Sequence, residues 1–181
     1  WVNGGVNGHH WGDYDNDADL DYVHGGFDNA YVRHLDVFYN DNGVLRLDTN
    51  QTNLIPINPA IVHWSDLNRD GRLDLVSIGA DAEQSLRMRV YINNSNYILT
   101  PSMTWESEIF GVTAGAIAFG DYNSDGYDDF ALTGMNGDGV TLLPMLFKME
   151  LTHSSSLTYS KVYTMVSLHG EIMTQMEIWI Y

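Results

Sequence analysis

The feature that most constrains this chain is a nine-residue acidic loop that its sequence contains three times. The copies read DYDNDADLD from Asp13, DLNRDGRLD from Asp66 and DYNSDGYDD from Asp121. Each copy has Asp at positions 1, 5 and 9 and Asp or Asn at position 3. Oxygen donors at alternate positions of a tight turn suit a hard cation such as Ca²⁺, and the carboxylates would repel one another without one. The repeated loop therefore indicates calcium binding.

Apolar stretches on both sides of the loops predict that each loop joins two β-strands. In the second copy these stretches are residues 61–64 and 73–78. An EF-hand would instead need flanking helices and a Glu at position 12, where this chain has His24, Ser77 and Leu132. The loops are therefore interpreted as strand connections and not as EF-hands.

The loops begin 53 and 55 residues apart, and a period near this value predicts one supersecondary unit per repeat. In the second repeat the pattern predicts four strands, at 60–64, 73–79, 86–93 and 97–105. A four-stranded sheet at this spacing is typical of a β-propeller blade. The predicted fold is therefore all-β, with about three blades of four antiparallel strands each.

The blade repeats are placed at 5–58, 59–113 and 114–165, and residues 166–181 are expected to start a further blade or to form a closing strand. Propellers close with about four to eight blades. We therefore expect this segment to be part of a larger ring, completed by more of the same polypeptide or by a partner.

The loops resemble the FG-GAP/VCBS repeats of the calcium-loop propellers typified by the integrin α-subunit head. The resemblance rests on Phe-Gly-Asp at 119–121 with DGYDDFA at 125–131, and on Trp-Ser-Asp at 64–66 with DGRLDLV at 70–76. Trp-Gly-Asp at 11–13 also fits, although Ala18 replaces the usual Gly. The resemblance implies calcium in the loops, an extracellular setting, and a role in binding rather than catalysis.

The resemblance also assigns the ligands by position: side-chain oxygens from positions 1, 3, 5 and 9, and a backbone carbonyl from position 7. The predicted ligands are Asp13, Asp15, Asp17, Asp19 and Asp21; Asp66, Asn68, Asp70, Arg72 and Asp74; and Asp121, Asn123, Asp125, Tyr127 and Asp129. Two to three Ca²⁺ ions follow, because Ala18 would need a left-handed conformation that costs about 1 kcal/mol. The alternative is a turn rich in Asp and Asn without metal, since these residues favour turns.

The composition limits the partners that the chain can have. Its net charge is −16, which argues against nucleic acid or an anionic membrane as a partner. It contains no cysteine, so disulfide bonds cannot stabilise it, and calcium is the available means of stabilising an extracellular protein. No stretch approaches eighteen uninterrupted apolar residues, so we expect no membrane insertion by this segment.

Two sequons, Asn50-Gln51-Thr52 and Asn93-Asn94-Ser95, predict glycosylation at Asn50 and Asn93 if the protein is secreted by a eukaryote. Both sequons can also arise by chance. His10 and His63 occupy matching places in two repeats, and they are interpreted as packing or surface residues rather than zinc ligands.

Three functions are compatible with these features. The first is a calcium-stabilised extracellular module for adhesion or for recognition of a protein or glycan ligand. The second is a structural building block of a filament or sheath that packs against neighbouring subunits. The third is a propeller domain of a carbohydrate-active enzyme. The glutamates outside the loops are scattered, with no pairing visible in the sequence, so we expect a protein that is not an enzyme. Recognition is expected from the variable connections 27–31, 50–58, 81–85, 94–96 and 135–139.

Overall fold

A computed structural model gives the fold of the chain. It describes residues 8–58, 60–102, 112–122 and 124–135, together with the backbone of 141–151 and 157–164. Within these residues the chain forms twelve β-strands and no helix. The all-β prediction is confirmed.

The strands form three antiparallel sheets, each with four strands paired in chain order. The first blade contains β1 (Gly8–Gly12), β2 (Asp21–Phe27), β3 (Arg33–Asp41) and β4 (Val44–Leu47). The second contains β5 (Ile61–Ser65), β6 (Asp74–Ala80), β7 (Leu86–Asn93) and β8 (Leu99–Pro101). The third contains β9 (Thr113–Gly120), β10 (Asp129–Met135), β11 (Thr141–Leu151) and β12 (Leu157–Thr164). The sheets have the form of partial propeller blades.

The second blade lies between the other two, and its strand β6 is buried on both faces. Because side chains alternate along a strand, Leu75 joins a core with Tyr14 and Val37 of the first blade. Val76 points the other way and joins a core with Phe130 of the third blade. This burial on both sides explains why residues 74–79 are all buried.

The first strands of the three blades lie side by side, which sets the order of the blades. The imidazole rings of His10 and His63 stand 3.9 Å apart between their centroids. The His63 ring lies 4.6 Å from that of Phe119 on β9. The blades therefore follow one another in chain order, with β5 in contact with both β1 and β9.

The predicted strands of the second repeat differ from the observed ones mainly at the end of the repeat. The first two begin and end one residue later than predicted, and β7 agrees. The fourth strand begins at Leu99 rather than at residue 97, because Asn94 heads a tight turn. The Asn94 side-chain oxygen accepts hydrogen bonds from the backbone N–H groups of Asn96 (2.9 Å) and Ile98 (3.1 Å). The blade boundaries stay predictions, and residues 166–181 lie outside the described residues.

Candidate metal centre

In all three acidic loops the carboxylate at position 1 organises the turn. Its two oxygens accept hydrogen bonds from the backbone N–H groups of positions 5 and 6. These bonds run from Asp17 and Ala18 to Asp13 (3.1 and 3.1 Å), from Asp70 and Gly71 to Asp66 (3.0 and 2.9 Å), and from Asp125 and Gly126 to Asp121 (3.0 and 2.8 Å). The three loops therefore share one backbone geometry.

The carboxylate at position 9 links the end of each loop to its beginning. Asp21, Asp74 and Asp129 are buried, and each accepts a hydrogen bond from the backbone N–H of position 2. In the first two blades this carboxylate also accepts a bond from the third strand, from the N–H of Asn40 (2.9 Å) and of Asn93 (2.8 Å). Each of these two carboxylates thus ties its loop to two strands of its own sheet.

Two positions of each loop have a left-handed backbone. At position 4, φ is 59° in Asn16, 59° in Arg69 and 60° in Ser124. At position 6 it is 73° in Ala18, 82° in Gly71 and 89° in Gly126. The expectation that Ala18 would need this conformation is confirmed, and the first loop adopts the shared geometry at a cost of about 1 kcal/mol.

The first loop brings carboxylate oxygens together in a way that fits a hard cation. Ligand oxygens of Asp13, Asp15 and Asp21 all lie within 4.8 Å of one another. One oxygen of Asp15 is buried and has no hydrogen-bond partner, so it has a lone pair to offer a cation. Burial and then repulsion by Asp17 raise the pKa of Asp15, and burial raises the pKa of Asp21 to about 6. A bound Ca²⁺ would favour the charged carboxylates and so offset both the burial and the repulsion that raise these pKa values.

The second loop has the same donors but also contains a competing cation. Burial raises the pKa of Asp74 to about 7. The Asp70 carboxylate accepts hydrogen bonds from the side chains of Asn68 and Arg72. The Arg72 guanidinium also donates to the Asn93 carbonyl (2.9 Å). Arg72, predicted as a ligand through its carbonyl, therefore places its own positive charge beside a predicted ligand carboxylate.

In the third loop the N–H of Tyr127 donates to Asp125 (2.9 Å), as the N–H at position 7 does in the other two loops. Asn123, the predicted ligand at position 3, lies outside the described residues. The remaining predicted ligands of this loop, Asp121 and Asp129, have the contacts described above. Its described residues thus repeat the framework of the first two loops.

Neighbouring loops contact each other along one edge of the molecule. The Asn16 side-chain amide of the first loop donates to the Gly71 carbonyl of the second (2.9 Å). The Arg69 guanidinium of the second loop lies 4.7 Å above the Tyr127 ring of the third. The loops therefore form a continuous acidic row.

Comparison with known families gives a match for the second and third loops. Residues 66–132 match the FG-GAP-like repeat family. This part of the chain is thus similar to an FG-GAP-like repeat. The match begins at position 1 of the second loop and ends in β10, so it includes the second and third loops. The chain matches no curated protein and no solved structure. The first loop lies outside the FG-GAP-like match, yet its hydrogen bonds are those of the matched loops.

The structure shows a paired role for Asn40 and Asn93 that the sequence analysis missed. Besides the N–H bond described above, the side-chain amide of each donates to the carbonyl at position 8 of its own loop, at 3.2 Å in Asn40 and 3.1 Å in Asn93. The two residues are 53 residues apart, which is the spacing of the first two loops. That shared spacing is the signal that could have identified them.

The two sequons differ in accessibility. Asn93 is fully buried, and its amide nitrogen donates to the carbonyls of Tyr14 and Leu73. A glycan on Asn93 is incompatible with this packing, because the nitrogen would lose both bonds and the sugar would have no space. Asn50 is exposed in a turn, and its glycosylation stays a prediction.

The histidines expected to pack do so. His10 and His63 lie between the first two blades, and the His63 Nδ1–H donates to the Trp64 carbonyl (2.7 Å). Among the described residues, no helix is long and apolar enough to cross a membrane.

Proposed function

We propose that this chain is a calcium-stabilised extracellular module of the FG-GAP-like type, which recognises a protein or a glycan and carries out no catalysis. The observation that carries the proposal is the cluster of Asp13, Asp15 and Asp21, whose oxygens lie within 4.8 Å of one another in a preformed turn. Ca²⁺ would neutralise the clustered charge and hold the turn closed. The carboxylates of the loops are committed to this framework, so the proposal gives them a structural role and no role in acid–base catalysis.

An extracellular setting follows from the kind of site proposed. Loops that supply all their ligands from nine residues resemble modest-affinity sites, and extracellular modules work at about 10⁻⁴–10⁻³ M calcium. Such sites would stay empty at cytosolic calcium concentrations. The exposed Asn50 sequon agrees with secretion.

The best-defined candidate recognition surface is the turn between β2 and β3. Because strands are antiparallel, this turn lies at the end of the first blade opposite its acidic loop. One oxygen of Asp28 accepts bonds from the N–H groups of Ala30 (2.9 Å) and Val32 (2.8 Å), which holds the turn in one shape. Tyr31 is 80% exposed at its tip. An exposed aromatic residue on a rigid turn is a suitable anchor for a protein or glycan.

Thermal unfolding with calcium, with magnesium and with chelator tests the metal part of the proposal. At a calcium concentration ten times the dissociation constant, each filled loop should add about 1.4 kcal/mol of stability. Asp15→Asn and Asp125→Asn should reduce the calcium-dependent rise in Tm, while Asp36→Asn, on strand β3 outside the loops, should leave it unchanged. Equal melting curves with calcium and with chelator would contradict calcium binding.

Recognition can be tested with the labelled chain on a glycan array and on cultured cell surfaces, in millimolar calcium. Tyr31→Ser should lose the binding while keeping the calcium-dependent Tm. Gln84→Ser, at the matching exposed place in the turn of the second blade, is the control. If Tyr31→Ser binds as well as the wild type, this turn is not the recognition surface.

A further inference from the structure

The contact between the first and second blades consists of an aromatic stack and a side-chain hydrogen bond. The ring of Tyr14, at position 2 of the first loop, stacks on that of Trp64 in β5, with centroids 5.6 Å apart and planes 11° apart. The Tyr14 carbonyl accepts a hydrogen bond from the Asn93 side chain (2.8 Å). Both aromatic residues are only 3% exposed. The Tyr–Trp stack and the Asn hydrogen bond therefore fix one blade on the next.

A glycine permits this close approach. A Cβ atom on Gly12 would lie 2.8 Å from the Trp64 side chain and 2.8 Å from that of Leu73. A side chain at this position would force the Trp64 ring and the Leu73 side chain to shift, so Gly12 allows the Trp and Leu of the second blade to pack closely on the first.

The first blade presents the same receiving residues on its open side, the side that faces neither of the other two described blades. Trp11, Leu20 and Asn40 occupy the places that Trp64, Leu73 and Asn93 occupy in the second blade. Trp11 is 49% exposed and Leu20 is 56% exposed. The Asn40 amide keeps its bond to the Leu20 carbonyl (3.2 Å), as the Asn93 amide keeps its bond to the Leu73 carbonyl (3.1 Å). This surface, made of Trp11, Leu20 and Asn40, is the receiving face.

The third blade presents the matching inserting residues on its own open side, which likewise faces neither of the other described blades. Tyr122 stands at position 2, as Tyr14 does in the first loop, and is 67% exposed. Gly120 corresponds to Gly12, but a Cβ atom on it would meet nothing within 4 Å. A cleft of about 290 Å³ opens beside these two residues, between Phe119 and Asp129. This surface, made of Gly120 and Tyr122 with the cleft, is the inserting face.

The contact between the second and third blades shows that the pairing is selective. There Ser65 occupies the position of Gly12, and its hydroxyl donates to Asp128 (2.7 Å). Asp128 occupies the loop position that is Leu20 in the first loop and Leu73 in the second. Ser therefore meets Asp, whereas Gly meets Leu and Trp. The open inserting face carries Gly, and the open receiving face carries Leu and Trp. The two faces therefore have the same residue pairing as the contact between the first and second blades.

We propose that two copies of this chain associate head to tail, with the inserting face of one copy packed on the receiving face of the next. Tyr122 of one copy stacks on Trp11 of the other, and its carbonyl accepts a hydrogen bond from Asn40. Such a contact is heterologous, so it leads to a ring or to an open filament of copies. This association goes beyond the proposed recognition function, because it needs neither the ligand nor the turn at Tyr31.

Sedimentation velocity of the 181-residue chain at fixed millimolar calcium is the first test. The sedimentation coefficient should rise with protein concentration. Tyr122→Ala and Trp11→Ala should each weaken association at least about tenfold, as removal of a central aromatic contact does in other interfaces. Tyr31→Ala removes a more exposed aromatic residue that belongs to neither face and should leave association unchanged.

Cysteine cross-linking gives the second test, because the chain contains no cysteine of its own. Under mild oxidation a mixture of Trp11→Cys and Tyr122→Cys chains should form a disulfide-linked dimer. Neither variant alone should do so beyond the level of a Tyr31→Cys control. Retained calcium-dependent melting in each variant shows that the fold has survived the substitution.

Three results would overturn the proposal. The first is a chain that stays monomeric at all concentrations tested. The second is equal cross-linking in each single variant, which would indicate a contact other than head to tail. The third is a monomeric Tyr122→Cys chain whose thiol does not react with a maleimide, because another segment of the same chain would then cover the inserting face.

Discussion

At the scale of single residues, the left-handed backbone of position 6 is a point where the first loop departs from the other two. Ala18 has φ of 73°, where the other loops have Gly. Replacing Ala18 with Gly should stabilise the chain by about 0.5–1 kcal/mol, because Gly adopts this conformation without strain. The free energy of unfolding, measured by urea denaturation in calcium, checks this.

The matched control for Ala18→Gly is Gly71→Ala. A Cβ atom on Gly71 would meet nothing within 4 Å, so this change tests the backbone conformation without adding a clash. It should destabilise the chain by a similar amount. If both substitutions shift the free energy of unfolding in the same direction, strain at position 6 is not the cause.

The ion pair of Asp81 and Arg89 is buried in the second blade, with an N–O distance of 2.5 Å. Burial alone would raise the pKa of Asp81, but hydrogen bonds from Arg89 and from backbone N–H groups of its turn outweigh burial and hold the pKa below its usual range. A carboxyl whose pKa is lowered by folding stabilises the protein above its unfolded pKa, near 4, and loses this effect as the pH falls through the folded pKa.

Asp81→Asn should therefore lower the free energy of unfolding by about 2 kcal/mol at pH 7, since a charge-assisted hydrogen bond is lost. The difference from the wild type should shrink as the pH falls below about 4. Denaturant unfolding at several pH values measures both effects. Glu83→Gln, an exposed charge in the same turn, should change little. A constant difference across the pH range would show that the Asp81 charge is not responsible.

At the scale of the structural element, each acidic loop is a turn that its own carboxylates hold, and the second loop adds a side-chain cation to it. The Arg72 guanidinium pairs with Asp70, and both side chains are about a quarter exposed (25% and 28%). Arg72→Gln keeps the backbone carbonyl at position 7 and removes the positive charge. Calcium binding to this loop should tighten by up to about fivefold, because a partly exposed pair is worth up to about 1 kcal/mol.

The calcium concentration at the midpoint of the Tm rise measures the effect of Arg72→Gln. Arg46→Gln removes an exposed charge that pairs with Asp41, outside the second loop, and serves as the control. An unchanged or higher midpoint for Arg72→Gln would mean that the guanidinium does not compete with the metal, and that its bond to the Asn93 carbonyl matters more.

Elements of this kind could be predicted from sequence because their signals are local. The spacing of the Asp side chains predicted the loops, and the alternation of apolar and polar residues, as from Leu86 to Ile92, predicted the strands. The buried role of Asn93 could not be read from its sequon, because the sequon pattern carries no information about burial. It depends on the Tyr14 carbonyl, 79 residues away, which only the packing of two blades brings close.

At the scale of the whole molecule, the first two blades are held together by hydrogen bonds between residues that are far apart in the sequence. Gln51 follows the first blade, yet its side chain donates to the Tyr97 carbonyl (2.7 Å) and accepts from the Leu99 N–H (2.9 Å) of the second. The Tyr14 hydroxyl donates to Asp48 (2.6 Å), which also accepts a bond from Gln51. The connection between the blades is thus fastened to both of them, so the first two blades should unfold together.

The histidine pair of this interface makes its stability depend on pH. Burial, then the charges of His63 and His9, lower the pKa of His10. Burial also lowers the pKa of His63, although its bond to the Trp64 carbonyl and the nearby Asp128 oppose the effect. A histidine whose pKa is lowered by folding binds protons more weakly in the folded state. The interface therefore loses stability as the pH falls below about 6.5, the unfolded value.

His63→Asn should make the chain less sensitive to acid, because Asn can donate to the Trp64 carbonyl in place of the imidazole but does not take up a proton. Between pH 7.5 and pH 5.5, in saturating calcium, the free energy of unfolding should fall less in this variant than in the wild type; this range spans the unfolded histidine pKa of about 6.5. His9→Asn removes an exposed imidazole from the same strand as His10. Because the charge of His9 is the smallest of the three causes that lower the pKa of His10, the slope of this variant should stay close to that of the wild type. Because the loop carboxylates are common to all three proteins, their titration cancels in the comparison. Parallel curves for the wild type and His63→Asn would show that the stacked imidazoles do not couple blade packing to pH.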